Sequence, residues 1–275
     1  MLNIASVTNH REREKGVVVY PVYSRRSAGL SIGINLFPEK KSCAFDCPYC
    51  EVFPFSSGAG FSFKQMEEDL RAAVSGAHEQ NIPIKDICFS GNGEPTLSAY
   101  FRGAFNLAEK IRLREALCAQ LVVITNGTGL LQPEIFSFLK ETAENPAADI
   151  WLKLDAGTPY WYLKMNRCAL PFDRHIEKIK EFTSLSAVTI QTMLCAINGE
   201  TPPQEEKKAW EELALLLAAN AKRGIRKVQL YGKARSAPED PLASRLPDDY
   251  LEERAFSLRN IFSQNSLQVP VEVFI

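Results

Sequence analysis

The chain has 275 residues, 45% apolar and 24% charged, with 15 glycines and 16 prolines. These ordinary globular proportions exclude a disordered chain, a collagen-like repeat and a disulfide-dense miniprotein. Lys plus Arg (32) nearly balances Asp plus Glu (33), leaving a net charge of −1, which argues against a protein that coats nucleic acid.

No run of about 18 apolar residues occurs, so no membrane span is expected. Met1-Leu2-Asn3-Ile4-Ala5 lacks the basic-then-apolar pattern of an export signal, and the cytoplasm is the expected compartment. The 7 cysteines are accordingly expected as reduced thiols. Cys88, Cys118, Cys168 and Cys195 are scattered and read as small buried hydrophobes.

In chain order, Pro21-Val22-Tyr23-Ser24-Arg25-Arg26 precedes the first strand candidate. The paired arginines Arg25 and Arg26 read either as solvated surface or as a fork onto a carboxylate or phosphate of a substrate. Ser31–Phe37 alternates as a strand does. It leads into Cys43-Ala44-Phe45-Asp46-Cys47-Pro48-Tyr49-Cys50, a CxxxCxxC run. Three thiols so close are expected to share one object. Structural zinc takes four ligands, and no second CxxC or histidine pair supplies the fourth; His10, His78 and His175 are isolated. An iron–sulfur cube usually takes four cysteines; with Cys43, Cys47 and Cys50 alone, one iron is left for a non-protein ligand such as the amino and carboxylate groups of S-adenosylmethionine. Zinc or a redox-sensing thiol trio are the alternatives.

Ser62 with Gln65 forms a capping box, followed by Met66, Leu70, Val74 and Ala77 at helical spacing. Ile84–Phe89 is the second strand, and Phe101, Phe105, Ala108 and Ile111 mark the next helix. Leu121–Ile124 is a third strand, and Pro133 opens a helix carrying Ile135, Phe138 and Leu139. Ile150–Leu154 is a fourth strand, with Ile176, Ile179 and Phe182 on the next helix. Val188–Leu194 is a fifth strand, 203–220 a helix, Val228–Tyr231 a sixth strand, 248–263 a last helix and Val271–Phe274 a terminal strand. Repeated β/α pairs predict an α/β fold with a parallel sheet and right-handed crossovers, either doubly wound or a curved partial barrel. One domain spans 1–275: an N-terminal extension over 1–30, a core over about 31–235, and a C-terminal helix and strand over 236–275. The loops at 142–149 and 236–247 are expected at the surface.

In such folds chemistry gathers at the carboxyl ends of the strands. After the second strand comes Ser90-Gly91-Asn92-Gly93-Glu94-Pro95-Thr96, where glycines allow close backbone approach and Glu94 can hold an ammonium. Thr125-Asn126-Gly127 follows the third strand, where it can be a plain Asn-Gly turn or a ligand contact. Lys153 and Asp155 share one face of the fourth, either as a salt bridge or as a polar pair gripping cofactor or substrate; a buried lysine can also form an imine. Gln191 on the fifth strand, and Gln229 and Tyr231 on the sixth, are further active-site candidates, with Lys233 and Arg235 in the loop beyond.

Cys43, Cys47, Tyr49 and Cys50 resemble the radical SAM signature CxxxCxφC, φ aromatic, position for position. The resemblance implies a partial (β/α)6 TIM-like barrel, a [4Fe–4S] cluster on the three cysteines, and S-adenosyl-L-methionine cleaved to a 5′-deoxyadenosyl radical. It places Tyr49, Gly91, Asn92, Gly93, Glu94, Asn126 and Gln191 at the cofactor, with Gly93 and Glu94 at the amino group of its methionyl part and Asn126 near its ribose. Lys153, Asp155 and Arg235 are the catalytic candidates; Arg25, Arg26, Gln229 and Tyr231 are candidates for the substrate. An electron donor such as flavodoxin or ferredoxin is implied.

More narrowly, Pro21-Val22, Ser24-Arg25-Arg26, Ser31–Asn35, the cysteine run, Leu154–Gly157, Met165-Asn166-Arg167, Val228–Tyr231 with Arg235, and Pro270–Phe274 resemble a poorly characterised group of iron–sulfur oxidoreductases. That group is related to the tRNA wyosine (4-demethylwyosine) synthases. The expected substrate is a nucleobase, nucleotide or other small molecule; tRNA is disfavoured by the net charge. The alternative reading is an activating enzyme that installs a glycyl radical on a partner protein, and a non-enzymatic iron–sulfur or zinc protein is the third.

Overall fold

A hairpin opens the structure. β1 (Val19–Ser24) runs antiparallel to β2 (Gly29–Ile34), closed by a turn in which Ala28 adopts a left-handed φ of 54°. The computed structural model describes residues 16–52, 54–220, 225–235 and 242–275. The first fifteen residues of the expected extension, with His10, and positions 236–241 of the expected 236–247 loop lie outside the described residues.

The chain forms two compact units. The first comprises the described part of Met1–Cys43 together with Val52–Thr125 and Asn145–Asp149. Here β2 pairs in parallel with β3 (Ile84–Phe89), and β3 with β4 (Gln120–Thr125). Helix α1 (Phe63–Glu79) buries Met66, Leu70, Ala73, Val74 and Ala77, the stripe its spacing predicts. Ser62 caps it by accepting the Gln65 amide at 3.4 Å, but the reciprocal half of the capping box is absent: the Gln65 carboxamide donates to Asp69 instead. Helix α2 (Phe101–Glu115) buries Phe101, Phe105, Ala108 and Ile111, with Phe89 edge-on to Phe101. Its last turn is held by the buried Arg112, which pairs with Glu109 and donates to the Leu117 carbonyl.

The second unit comprises Ala44–Glu51, Asn126–Glu144 and Ile150–Ile275. It contains most of β5 (Ala148–Lys153), which pairs in parallel with β6 (Val188–Ile197); β6 pairs with β7 (Ile225–Gly232), and β7 with β9 (Val271–Phe274). The short β8 (Ala243–Arg245) runs antiparallel to the end of β6. The helices are α3 (Pro133–Glu144), α4 (Pro159–Asn166), α5 (Phe172–Leu185), α6 (Gln204–Asn220) and α7 (Asp248–Gln264).

Every expected strand and helix is present. Among the described residues three strands and α-helices were not anticipated, β1, α4 and β8, nor were the 3-10 turns Pro95–Leu97 and Thr128–Leu131. Each is short or atypical in pattern. β1 carries Pro21 in an edge strand, which masks its period. The first expected strand, Ser31–Phe37, begins two residues earlier and stops at Ile34. Among the described residues no helix is long and apolar enough to cross a membrane.

Candidate functional site

The cysteine run lies in a loop between β2 and α1. Cys43 is exposed, Cys47 and Cys50 are partly buried, and none is in a disulfide. Just before it, in the first unit, Ser42 pairs with the segment that follows β3: its amide donates to the Asn92 carbonyl and its carbonyl accepts the Glu94 amide, each at 2.9 Å. A Cβ on Gly93 would stand 1.8 Å from the Ser42 oxygen. Gly93 is therefore required by the chain crossing over it. Gly91 (φ 118°) lies against Asn35, whose Oδ1 accepts the Asn92 amide at 3.1 Å, and the Asn92 carboxamide donates to the Phe37 carbonyl.

Glu94 is buried and caps the short 3-10 turn Pro95–Leu97. Its Oε1 accepts from the Thr96 amide at 3.1 Å, from the Thr96 hydroxyl at 2.6 Å and from the Thr125 hydroxyl at 2.7 Å. Arg25 and Arg26 do not join this group. They sit in the β1–β2 turn, and β2 runs parallel to β3 from Leu30 beside Ile84 to Ile34 beside Phe89. The turn is thus at the amino edge of these strands, whereas Gly91–Glu94 follows their carboxyl edge. A six-residue strand, about 17 Å at 3.3 Å per residue, separates the two.

In the second unit a denser constellation surrounds Asp155. Lys153 is ion-paired with it at 3.2 Å, as the shared strand face predicts. The Tyr49 hydroxyl donates to Asp155 Oδ2, the Asn166 carboxamide donates to the same oxygen at 3.1 Å, and the Met193 amide donates to Oδ1 at 2.9 Å. Lys153 also donates to the Tyr231 hydroxyl at 2.6 Å and lies 4.9 Å from the Tyr49 ring centroid, a desolvated cation–π contact. The Asn166 carboxamide reaches Cys47 Sγ at 3.6 Å, and its carbonyl accepts the Asp46 amide at 2.9 Å. Phe45 and Tyr49 pack with Trp161, Tyr162, Met165, Met193 and Tyr231 in one hydrophobic cluster.

The electrostatics follow from burial and pairing. Burial alone lowers the Lys153 pKa, but the Asp155 carboxylate, with Tyr231 and Cys47, outweighs it and the net shift is upward. Lys153 is held as an ammonium and not as the free amine that imine chemistry needs. Burial raises the Tyr49 phenol, reinforced by Asp155. Burial likewise pushes the Cys47 thiol up to about 12, against the opposing pull of Lys153.

A polar row continues across the sheet. Lys153, Gln191, Gln229 and Glu272 are successive register partners on β5, β6, β7 and β9. The Gln191 carboxamide donates to Gln229 at 2.7 Å, Gln229 donates to Glu272 at 3.1 Å, and Lys227 pairs with Glu272 at 3.0 Å. Arg235 pairs at 2.7 Å with Glu51, the residue after Cys50. Asn126 forms a tight turn: its Oδ1 accepts from the Thr128 amide and hydroxyl, and its carbonyl accepts from His175 Nε2 at 2.8 Å.

Asn166, Thr125 and His175 were not among the sequence-based candidates. Asn166 carried a signal in the Met165-Asn166-Arg167 run, but its role depends on α4 ending there with Arg167 in the left-handed region (φ 45°).

Three thiols in one short loop are donors of the kind an iron–sulfur cluster takes, so the residues fit such a group in kind. Among the described residues no group of three or more His, Cys, Asp or Glu side chains is gathered as a metal site.

Comparison with solved structures defines the fold. A radical SAM methyltransferase from Sphaerobacter thermophilus matches 92% of this chain and 68% of its own at a TM-score of 0.63 and 14% identity. Streptococcus suis SuiB bound to S-adenosylmethionine matches 88% of this chain and 50% of its own at 0.64 and 16% identity. A structure of TYW1 with a lysine–pyruvate adduct matches 84% of this chain and 73% of its own at 0.53 and 16% identity. The chain has the partial (β/α) barrel fold of radical SAM enzymes.

At the sequence level, two curated relatives from Helicobacter pylori, both described as UPF0026 protein, are 30% and 31% identical over 133 residues. The match covers 46% of this chain and 39% of each relative. The chain thus spans under half the length of these relatives. No family model matches.

Proposed function

We propose that this chain is a radical SAM enzyme acting on a nucleobase, nucleotide or other small substrate. The observation that carries the reading is the Cys43–Cys47–Cys50 run, with Tyr49 at its aromatic position, on a chain with this fold. In this reading Cys43, Cys47 and Cys50 hold a [4Fe–4S] cluster, and Gly91–Glu94 and Asn126 meet S-adenosylmethionine. When bound, that pair of cofactors supplies a 5′-deoxyadenosyl radical that abstracts hydrogen.

The chain's own contribution is placement. The Ser42 pairing fixes where the Gly91–Glu94 segment runs. Thr96 and Thr125 orient the Glu94 carboxylate, leaving it as an acceptor for an ammonium. Asp155, fed by Tyr49, Asn166 and Met193, fixes the Lys153 ammonium, which is suited to hold an anionic group. The Gln191–Gln229 pair presents carboxamides from the adjoining strands.

Anaerobically prepared protein, reduced in the presence of S-adenosylmethionine, is expected to release 5′-deoxyadenosine. Glu94→Gln, which keeps the side-chain shape but loses its charge, is expected to weaken cofactor binding at least tenfold while iron content is retained. Release of methylthioadenosine alone would contradict the bond cleavage assigned here, and unchanged affinity in Glu94→Gln would remove that residue from the cofactor site.

A further inference from the structure

We infer that Asn166 is a positioning residue for the sulfur of Cys47: its carboxamide aims an N–H at Cys47 Sγ and so sets the reduction potential of an iron–sulfur centre held there. The inference rests on the reading of Cys47 as a cluster ligand.

Asn166 is 1% exposed, and its carboxamide nitrogen reaches both Cys47 Sγ at 3.6 Å and Asp155 Oδ2 at 3.1 Å. An amide –NH2 has two donors, and these two acceptors take one each. The first distance is within the range of an N–H to sulfur bond. The second fixes the plane of the amide, because Asp155 is itself held by Tyr49 and the Met193 amide. The carboxamide therefore cannot rotate away from the sulfur without breaking a buried bond to a charged acceptor.

The same residue grips the loop a second time through its backbone, accepting the Asp46 amide at 2.9 Å, and Arg167 reaches Asp46 at 3.8 Å. The end of α4 thus anchors the loop by its main chain and addresses the sulfur by one side chain. Those two roles can be separated by mutation, since a side-chain replacement leaves the Asn166 carbonyl in place.

Hydrogen bonds to cluster sulfurs stabilise the reduced, more negative state and raise its potential. Asn166→Leu removes the donor without adding charge. Asn166→Ala removes the same donor, also without adding charge, and carries the same comparison if the leucine variant does not fold. The readouts are iron content and the midpoint potential of the reconstituted protein, followed by electron paramagnetic resonance. The expected result is wild-type iron content with a potential shifted to a more negative value, and slower reductive loading by a fixed donor. An unchanged potential at full iron content in whichever variant folds overturns the inference while leaving the functional reading intact. Failure of the wild-type protein to take up a cluster overturns both.

Discussion

A buried carboxylate is costly unless every lone pair has a partner, and Asp155 shows how the cost is met. One oxygen takes the Tyr49 hydroxyl and the Asn166 carboxamide, the other takes the Met193 amide, and Lys153 balances the charge. The alternation of a strand made the Lys153–Asp155 pair readable from sequence. Asn166 and Met193 were not, because they come from the end of α4 and from β6, and only folding brings them to the carboxylate. His175 is similar. It is 3% exposed, donates from Nε2 to the Asn126 carbonyl, and burial lowers its pKa from 6.5 to about 4. The unfolded chain then binds more protons than the folded one between about pH 6.5 and 4, so stability falls as pH drops through that window. The full effect is about 3 kcal/mol at 1.36 kcal/mol per unit. Urea denaturation across this range is expected to show that loss in the wild type and a flatter profile in His175→Gln. Equal slopes in the two proteins would mean that His175 is not buried neutral.

At the scale of elements, helical and strand periods located α1, α2, β3 and β9 closely, because each is amphipathic or bounded by turn residues. β1 and α4 escaped for a physical reason. β1 is an edge strand interrupted by Pro21, and α4 buries Trp161, Tyr162, Met165 and Asn166 with no clear polar face. The glycines after β3 were read as a place where a ligand comes close. The structure adds a nearer cause at Gly93, the Ser42 backbone. Gly93→Ala is therefore expected to push the approach to the cysteine run off the Asn92–Glu94 segment, at a cost of about 1–3 kcal/mol, typical of overpacking. Hydrogen exchange is the direct check: the Ser42 and Glu94 amides should lose protection while those of β3 keep theirs. Unaltered protection at both amides would show that the crossing tolerates a side chain.

For the molecule as a whole, the alternation of strands and helices fixed the α/β class, and the solved structures decided between an open sheet and a partial barrel. The candidate site was only half legible. Residues carried by a local motif, Cys43, Cys47, Cys50, Gly93 and Glu94, could be named from spacing and resemblance. Placement of isolated polar residues could not: Arg25 and Arg26 lie at the amino edge of β2, while Arg235 reaches back to Glu51. The central claim is that three thiolates hold a cluster with one iron open to S-adenosylmethionine. The most direct test is the electron paramagnetic resonance spectrum of the reduced, iron-reconstituted protein with and without S-adenosylmethionine. The account predicts about four irons per chain, a cluster signal that changes on adding the cofactor, and loss of both in Cys43→Ala, Cys47→Ala and Cys50→Ala. A signal indifferent to S-adenosylmethionine, or one that survives all three substitutions, would contradict it.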